Sequence, residues 1–158
     1  MISEAERNKL QAECERLISH QKTLLLATVS QDGNTDISYA PYVREENTYY
    51  IFVSELAKHT HNLFKHSQAS VLFIEDENQA ANLFARRRLT LDCSAREIKK
   101  DDPIYNRQLL AMTEKFGQIV DVLRSLPDFH LFALTPNRGQ FVAGFGKSLV
   151  VDANGCLQ

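Results

Sequence analysis

Between Thr23 and Val53 three segments of strand character are joined by connections too short for anything but antiparallel pairing. Thr23–Ser30 is apolar and β-branched, Gln31-Asp32-Gly33-Asn34 carries a turn signal, and Thr35–Val43 resumes with Ile37, Tyr39 and Val43 on alternate positions. Thr48–Val53 then follows the polar turn Arg44-Glu45-Glu46-Asn47. A parallel neighbour needs a crossover of roughly a dozen residues or more, which neither connection supplies. The sheet must begin as an antiparallel meander, which argues against an open parallel sheet.

The rest of the chain adds helices around further strands. Ser3 and Glu6 have capping-box spacing, and Leu10, Cys14, Leu17 and Ile18 share one face of a helix over 3–20. A short helical segment starts at Ser54 with Leu56, Leu63 and Phe64 able to face inward, Ala69–Ile74 is a strand, and Glu75–Phe84 is a loop or helical turn. From Arg86 to Ile98 the pattern has period two, with Leu89, Leu91, Cys93 and Ala95 on one side and Arg88, Thr90 and Asp92 on the other. Asp102-Pro103 is a cap and first-turn proline for a helix that ends at Gly117, and a shorter one covers Ile119–Leu126. Phe129–Leu134 and Gln140–Phe145 read as strands joined by the turn Thr135-Pro136-Asn137-Arg138-Gly139, and Ser148–Val151 is one more. Asp152-Ala153-Asn154-Gly155 is a hairpin signal, yet only Cys156, Leu157 and Gln158 follow, fewer than a normal return strand of about five residues. The expected fold is α+β, a mostly antiparallel split β-barrel of about six to eight strands with flanking helices, and one domain over 1–158. Its barrel elements lie within 23–151, and 152–158 is a short C-terminal remnant.

Composition narrows the partners. With 18 basic against 20 acidic side chains the net charge is -2, which provides no global field for nucleic acid or anionic lipid. No apolar run approaches the roughly 20 residues that span a bilayer, and the mixed charges of the first residues do not resemble a signal peptide, so a soluble, cytoplasmic protein is expected. Cys14, Cys93 and Cys156 fit neither a disulfide framework nor a zinc motif and are expected to be reduced packing residues.

Local chemistry concentrates at two places. Ser54, Lys58, His59, Thr60, His61, Asn62, Lys65 and His66 lie at a strand end and helix start, where hydroxyls, cations and backbone N–H groups can hold a phosphate or carboxylate. The alternative is a solvated polar helix face, and the histidine spacings fit no metal motif. Arg86-Arg87-Arg88 leads into the long strand, and Arg88 shares the parity of Thr90 and Asp92 and so leaves the apolar side. A guanidinium there suits bidentate contact with phosphate or carboxylate, or serves only as a charged edge gatekeeper. Asp128 and His130 carry an acid and an imidazole, with Asp128 readable as a turn residue or cap. No phosphate-binding loop, dinucleotide fingerprint, zinc-protease motif or nucleophile elbow is present.

These stretches resemble a family. Leu24-Leu25-Leu26-Ala27-Thr28-Val29 with Asp32-Gly33, followed by Ser38-Tyr39-Ala40-Pro41-Tyr42-Val43, is similar to the opening of the pyridoxamine 5'-phosphate oxidase-like FMN-binding split barrels. Ala57-Lys58-His59-Thr60-His61-Asn62-Leu63, Leu83-Phe84-Ala85-Arg86-Arg87-Arg88-Leu89-Thr90 and Gly139-Gln140-Phe141-Val142-Ala143-Gly144-Phe145-Gly146 resemble its heme-utilization (HutZ/HugZ) branch. The resemblance covers nearly the whole chain. It implies a homodimer with cofactor sites at the subunit interface. For FMN, it implies phosphate contacts at positions matched by Lys58, His59 and Arg88, with Ser54 and Thr90 as neighbouring hydroxyls; for heme, it implies the same cleft with Arg88 and His59 lining it.

Asp128 matches an aspartate that hydrogen-bonds the branch's proximal histidine. That histidine lies on a segment beyond the position where this sequence ends, so no residue here matches it, and His59 and His130 are the only weak candidates for the iron. Three functional expectations follow: heme binding with oxidative heme breakdown fed by an unidentified electron donor, an FMN-dependent oxidoreductase, or a non-catalytic carrier of heme or flavin.

Overall fold

The structure, a computed structural model, describes residues 1–158. Helix α1 (Glu4–His20) starts where the Ser3 hydroxyl accepts from the Glu6 N–H at 3.1 Å, as the capping-box spacing predicts. It is followed by β1 (Thr23–Val29), β2 (Thr35–Glu45), β3 (Thr48–Ser54), α2 (Lys58–Lys65) and β4 (Gln68–Ile74). Two 3-10 turns, Glu77–Gln79 and Leu83–Ala85, lead to β5 (Arg88–Ile98), α3 (Pro103–Phe116), α4 (Ile119–Arg124), β6 (Phe129–Gly144) and β7 (Lys147–Val151). Every strand pairing is antiparallel, in the order β3-β2-β1-β4-β5-β6-β7. Pairing of β3 with β6 closes the first six strands into a barrel and leaves β7 as an extra strand. The fold is therefore the expected α+β split barrel. No helix is long and apolar enough to cross a membrane.

The expected turn at Thr135–Gly139 is instead the middle of one continuous strand, β6. Asp92 of β5 opposes Arg138 while Cys93 opposes Pro136, so Asn137 is an extra residue at a β-bulge. Proline has no N–H to give a ladder and is tolerated at a bulge, so the residue types that suggest a turn serve equally well here. Before the bulge, Phe129–Leu134 pairs with β3; after it, Gly139–Gly144 pairs with β7. Gly139 has a packing reason: a Cβ there would lie 2.5 Å from the Thr90 carbonyl oxygen and 2.7 Å from a Leu91 methyl.

Two further readings need correction. Helix α2 begins at Lys58 rather than Ser54, because Ser54–Ala57 forms a turn in which the Ala57 N–H donates to the Ser54 carbonyl at 3.1 Å. That phase leaves Leu56 93% exposed and Phe64 41% exposed, while Leu63 is buried. The chain also does fold back after Asp152–Gly155: Leu157 bridges Val151 and is buried, and its N–H donates to Gln11 Oε1 of α1 at 2.8 Å. Cys14 and Cys93 are buried thiols pushed up to about 12 by desolvation, whereas Cys156 is exposed and does not pack.

The barrel interior is filled by Leu24, Leu26, Tyr42, Tyr49, Ile51, Val71, Phe73, Leu89 and Leu91, with Leu10, Cys14, Leu17 and Ile18 of α1 packed against them. Tyr42, Tyr49 and Phe73 form an aromatic group with centroids 5.3 to 5.6 Å apart. Tyr42 Oη donates to the Ile18 carbonyl at 2.7 Å and so ties the end of α1 to the barrel. A second core lies outside the barrel, where Leu109, Met112 and Val120 of α3 and α4 cover Val43, Tyr50, Ile98 and Leu131. At the closing seam His130 of β6 lies between two carboxylates, Nδ1 at 2.9 Å from Glu97 of β5 and Nε2 at 2.9 Å from Glu55 just beyond β3. Carboxylates only accept, so both contacts are hydrogen bonds only when both ring nitrogens carry protons.

Two outcomes test this description. Phe73→Ala removes a fully buried ring and should lower the unfolding free energy in urea by roughly 3–5 kcal/mol, whereas Leu56→Ala should leave the midpoint unchanged. Burial pushes the Glu97 carboxyl up, but hydrogen bonds and charge from Lys99 and His130 outweigh it and hold it below the ordinary glutamate value. Its folded pKa is thus depressed, so its contribution to stability is full above the ordinary glutamate range and is lost as pH falls through the folded value. Melting temperatures followed from about pH 6 down to about pH 3 should fall more steeply for the wild type than for Glu97→Gln.

Candidate functional site

Residues directly opposite on neighbouring antiparallel strands project to the same side of a sheet. Since Leu89 and Leu91 point into the barrel, Arg88 and Thr90 of β5 point out of it. Following the register outward from Thr90 gives one row across six of the seven strands: Tyr39, Leu25, Leu72, Thr90, Gln140 and Val150. The adjacent row is Ile74, Arg88, Val142 and Ser148. On the other side of the first row Ile37 opposes Ala27. The outer face thus runs without a break from an uncovered apolar patch on β1 and β2 to a polar region on β5, β6 and β7. Within the patch Ile37 is 81% and Tyr39 62% exposed. The alternation in β2 identifies a strand, but its apolar residues Ile37 and Tyr39 face solvent while Ala40 and Tyr42 face the core.

The polar region holds a cleft of about 330 Å³ whose walls include Phe84, Arg88, Thr90, Gln140, Phe145 and Lys147. Structure separates the roles of the three consecutive arginines. The Arg86 guanidinium donates to the Glu75 carbonyl at 2.5 and 3.1 Å and lies 3.9 Å from Glu77; Arg87 lies 3.9 Å from Glu13. Arg88 has no carboxylate partner, and its one hydrogen bond goes from Nη1 to the Arg86 carbonyl at 3.0 Å. Arg86 and Arg87 therefore fasten the entry to β5, while the guanidinium of Arg88 has no acidic partner. At the opposite wall Gly146, with φ +68°, allows the tight connection from β6 to β7 and leaves Phe145 at its tip, 67% exposed. Phe84, in the 3-10 turn before β5, is 92% exposed.

The other candidates serve different places. His59 Nδ1 lies 2.8 Å from the Ser38 hydroxyl; the ring is buried, and desolvation lowers its pKa. Asn62 Nδ2 donates to Thr28 Oγ1 at 2.9 Å and to Asp36 at 2.8 Å, so the inner side of α2 plugs one end of the barrel. Lys58, one residue before His59, faces solvent without an acidic partner. Ser54 Oγ donates to Asp128 Oδ2 at 2.9 Å, and Thr60 Oγ1 donates to the Ser54 carbonyl at 2.5 Å. Within one chain Ser54 meets Asp128, His59 meets Ser38, and Arg88 meets Thr90; the cleft at Arg88 contains neither Lys58 nor His59. Both nitrogens of His130 face carboxylates, and no group of three or more histidine, cysteine or acidic side chains is arranged to hold a metal. Sequence reasoning missed Glu55 and Glu97 as partners of His130, since nothing local links residues so far apart.

The family model described as pyridoxamine 5'-phosphate oxidase matches residues 10–143. The chain is 40% identical over 148 residues to the heme oxygenase HutZ of Vibrio cholerae, covering 94% of this chain and 84% of that protein. Among solved structures, HutZ of Vibrio cholerae, described there as a heme storage protein, superposes with a TM-score of 0.76 at 41% identity, covering 80% of this chain and 89% of that one. ChuZ of Campylobacter jejuni superposes with a TM-score of 0.84 at 25% identity over 95% of this chain, which spans 62% of ChuZ. With the closed six-stranded barrel and these matches in hand, the chain belongs to the pyridoxamine 5'-phosphate oxidase-like split-barrel family, in its heme-utilization branch.

Proposed function

We propose that this protein binds heme as a homodimer, in the outer-face cleft built around Arg88, and acts in heme utilization. The observation that carries this reading is the convergence of two stretches far apart in sequence. Phe84–Thr90 and Gly139–Gly146, two of the stretches that resemble the heme-utilization branch, line the same cleft. The residues fit the group: Arg88 is a cation with no carboxylate of its own, suited to a propionate, and the exposed Phe84 and Phe145 offer apolar surface to a macrocycle. The exposed apolar patch of Leu25, Ile37 and Tyr39 on the same face supports a second copy seated there, with the cleft bordering the contact in this reading.

Heme, when bound, supplies an iron able to bind and activate dioxygen. The chain's own contribution is to bind and orient. Arg88 and the Thr90 hydroxyl fix the polar edge of the ligand, and Lys58, exposed and unpaired, is the further cation that two copies together would bring to the site. Asp128 has one oxygen held by Ser54 and the other without a partner, but it lies outside the cleft at Arg88 in its own chain, so a part in orienting a donor at the ligand would fall to the Asp128 of the second copy. Oxidative breakdown of the bound heme is the activity proposed, with an external electron donor; the relative in Vibrio cholerae is described both as a heme oxygenase and as a heme storage protein, so storage without turnover is the rival. An FMN site is the second reading, supported by the family match and by a guanidinium and hydroxyl side by side at Arg88 and Thr90, a pairing that suits a phosphate.

Titration of the purified protein with hemin should give a saturating Soret band at no more than about one heme per chain, with light scattering reporting a dimer. Arg88→Ala should weaken hemin binding by about tenfold with unchanged melting temperature. Retention of FMN with no saturable hemin band would select the flavin reading, and stoichiometric hemin binding with no loss of the Soret band when ascorbate and oxygen are supplied would select storage.

A further inference from the structure

Lys115, near the end of α3, reaches back to the barrel. Its Nζ donates to the Tyr42 carbonyl at 2.7 Å and lies 4.1 Å from the centroid of the Tyr42 ring, while the side chain stays open to solvent. The Tyr42 N–H donates to the Lys22 carbonyl at 3.3 Å, so Tyr42 contacts both lysines. Neither Lys22 nor Lys115 forms a salt bridge. Lys115 borders a hollow of about 310 Å³ whose other walls include Ile18, Val43, Ala111 and Arg44. Arg44 is already committed to Glu15, with Nη1 at 2.6 Å and Nη2 at 3.4 Å from its two oxygens. Desolvation of the Lys115 amine, with the positive charge of Lys22 added to it, holds its pKa below the ordinary lysine value. More of the amine is then neutral near pH 7, and the neutral amine is the nucleophile.

We propose that Lys115 is a covalent modification site for short-chain acyl phosphates, with Lys22 attracting the phosphate and the hollow receiving the acyl group. The Lys115 nitrogen adds to the acyl carbon and a C–N bond forms. The C–O bond to phosphate breaks, inorganic phosphate leaves with the bonding pair, and the amine's proton passes to water. The product is a neutral amide, so the charge over the Tyr42 ring is lost and α3 is held less firmly to the barrel. The hollow shares no residue with the cleft at Arg88, and the proposal does not depend on the heme reading.

Brief exposure of the wild-type chain to acetyl phosphate near neutral pH, with mass spectrometry of each lysine, tests the site. The exposed Lys65 and Lys100 serve as internal standards. Lys115 should gain acetyl groups about three- to tenfold faster than either, in proportion to its larger neutral fraction. Lys22→Gln should slow Lys115 by about threefold or more toward acetyl phosphate, and by less toward p-nitrophenyl acetate, an uncharged acyl donor that gives Lys22 no anion to attract. Lys115→Gln, an uncharged amide like the product, should melt a few degrees below the wild type. Acetylation of Lys115 no faster than that of Lys65 and Lys100 overturns the site. Equal slowing of both reagents in Lys22→Gln overturns the part given to Lys22, and an unchanged melting temperature in Lys115→Gln overturns the effect on α3.

Discussion

Closure of the barrel depends on one strand. β6 must pair with β3 along its first part and with β7 along its last, while β5 runs beside it from end to end. A regular strand holds one direction; the extra residue Asn137, with Pro136 contributing no N–H, lets β6 bend between those two sets of partners. Gly139 then allows the backbone after the bulge to lie against Thr90 and Leu91 where a Cβ would collide. The same bend determines which side chains share the outer face, since the rows that pass through Gln140 and Val142 exist only in the register that follows the bulge. The cleft at Arg88 is in this sense a product of barrel closure.

Much of the architecture was legible because it is local. Turn chemistry around Asp32-Gly33 and Glu46 fixed the meander, capping at Ser3 and Asp102 fixed two helix starts, and alternation along β5 separated Leu89 and Leu91 from Arg88 and Thr90. What failed was non-local or degenerate. Pro136, Asn137 and Gly139 favour a turn and a bulge alike, and only the strands on either side decide between them. Leu56 was misplaced because the helix starts after a turn that the Ser54 hydroxyl stabilises by accepting from the Leu56 N–H at 3.1 Å. Ile37 and Tyr39 show a different limit, since a period of two identifies a strand but says nothing of which face turns inward.

The site was legible to the same degree. Parity alone picked out Arg88 from its neighbours, but not the reason Arg86 and Arg87 are unavailable, which lies in their contacts with Glu75, Glu77 and Glu13. His59 was a good candidate by composition, and its burial against Ser38 gives it a structural task as well. Asp128 and His130, two residues apart, turn out to belong to separate hydrogen-bonded groups, one with Ser54 and the other with Glu55 and Glu97. Spacing in the sequence made them neighbours; the partners that define their chemistry come from other strands.

The placement of the apolar patch and the cationic cleft on one face has a thermodynamic consequence if two copies meet there. Binding the ligand in a cleft bordered by that contact and associating the two copies then become linked equilibria, because each favours the same assembled state. Such linkage is reciprocal: whatever factor the ligand adds to dimer affinity, dimerisation adds to ligand affinity. Arg88 contributes on the same side of this balance, since an unpaired cation on each of two facing surfaces repels its counterpart until carboxylates neutralise both. An empty dimer would therefore be weaker than a loaded one, and diluting the loaded protein would release ligand and partner together.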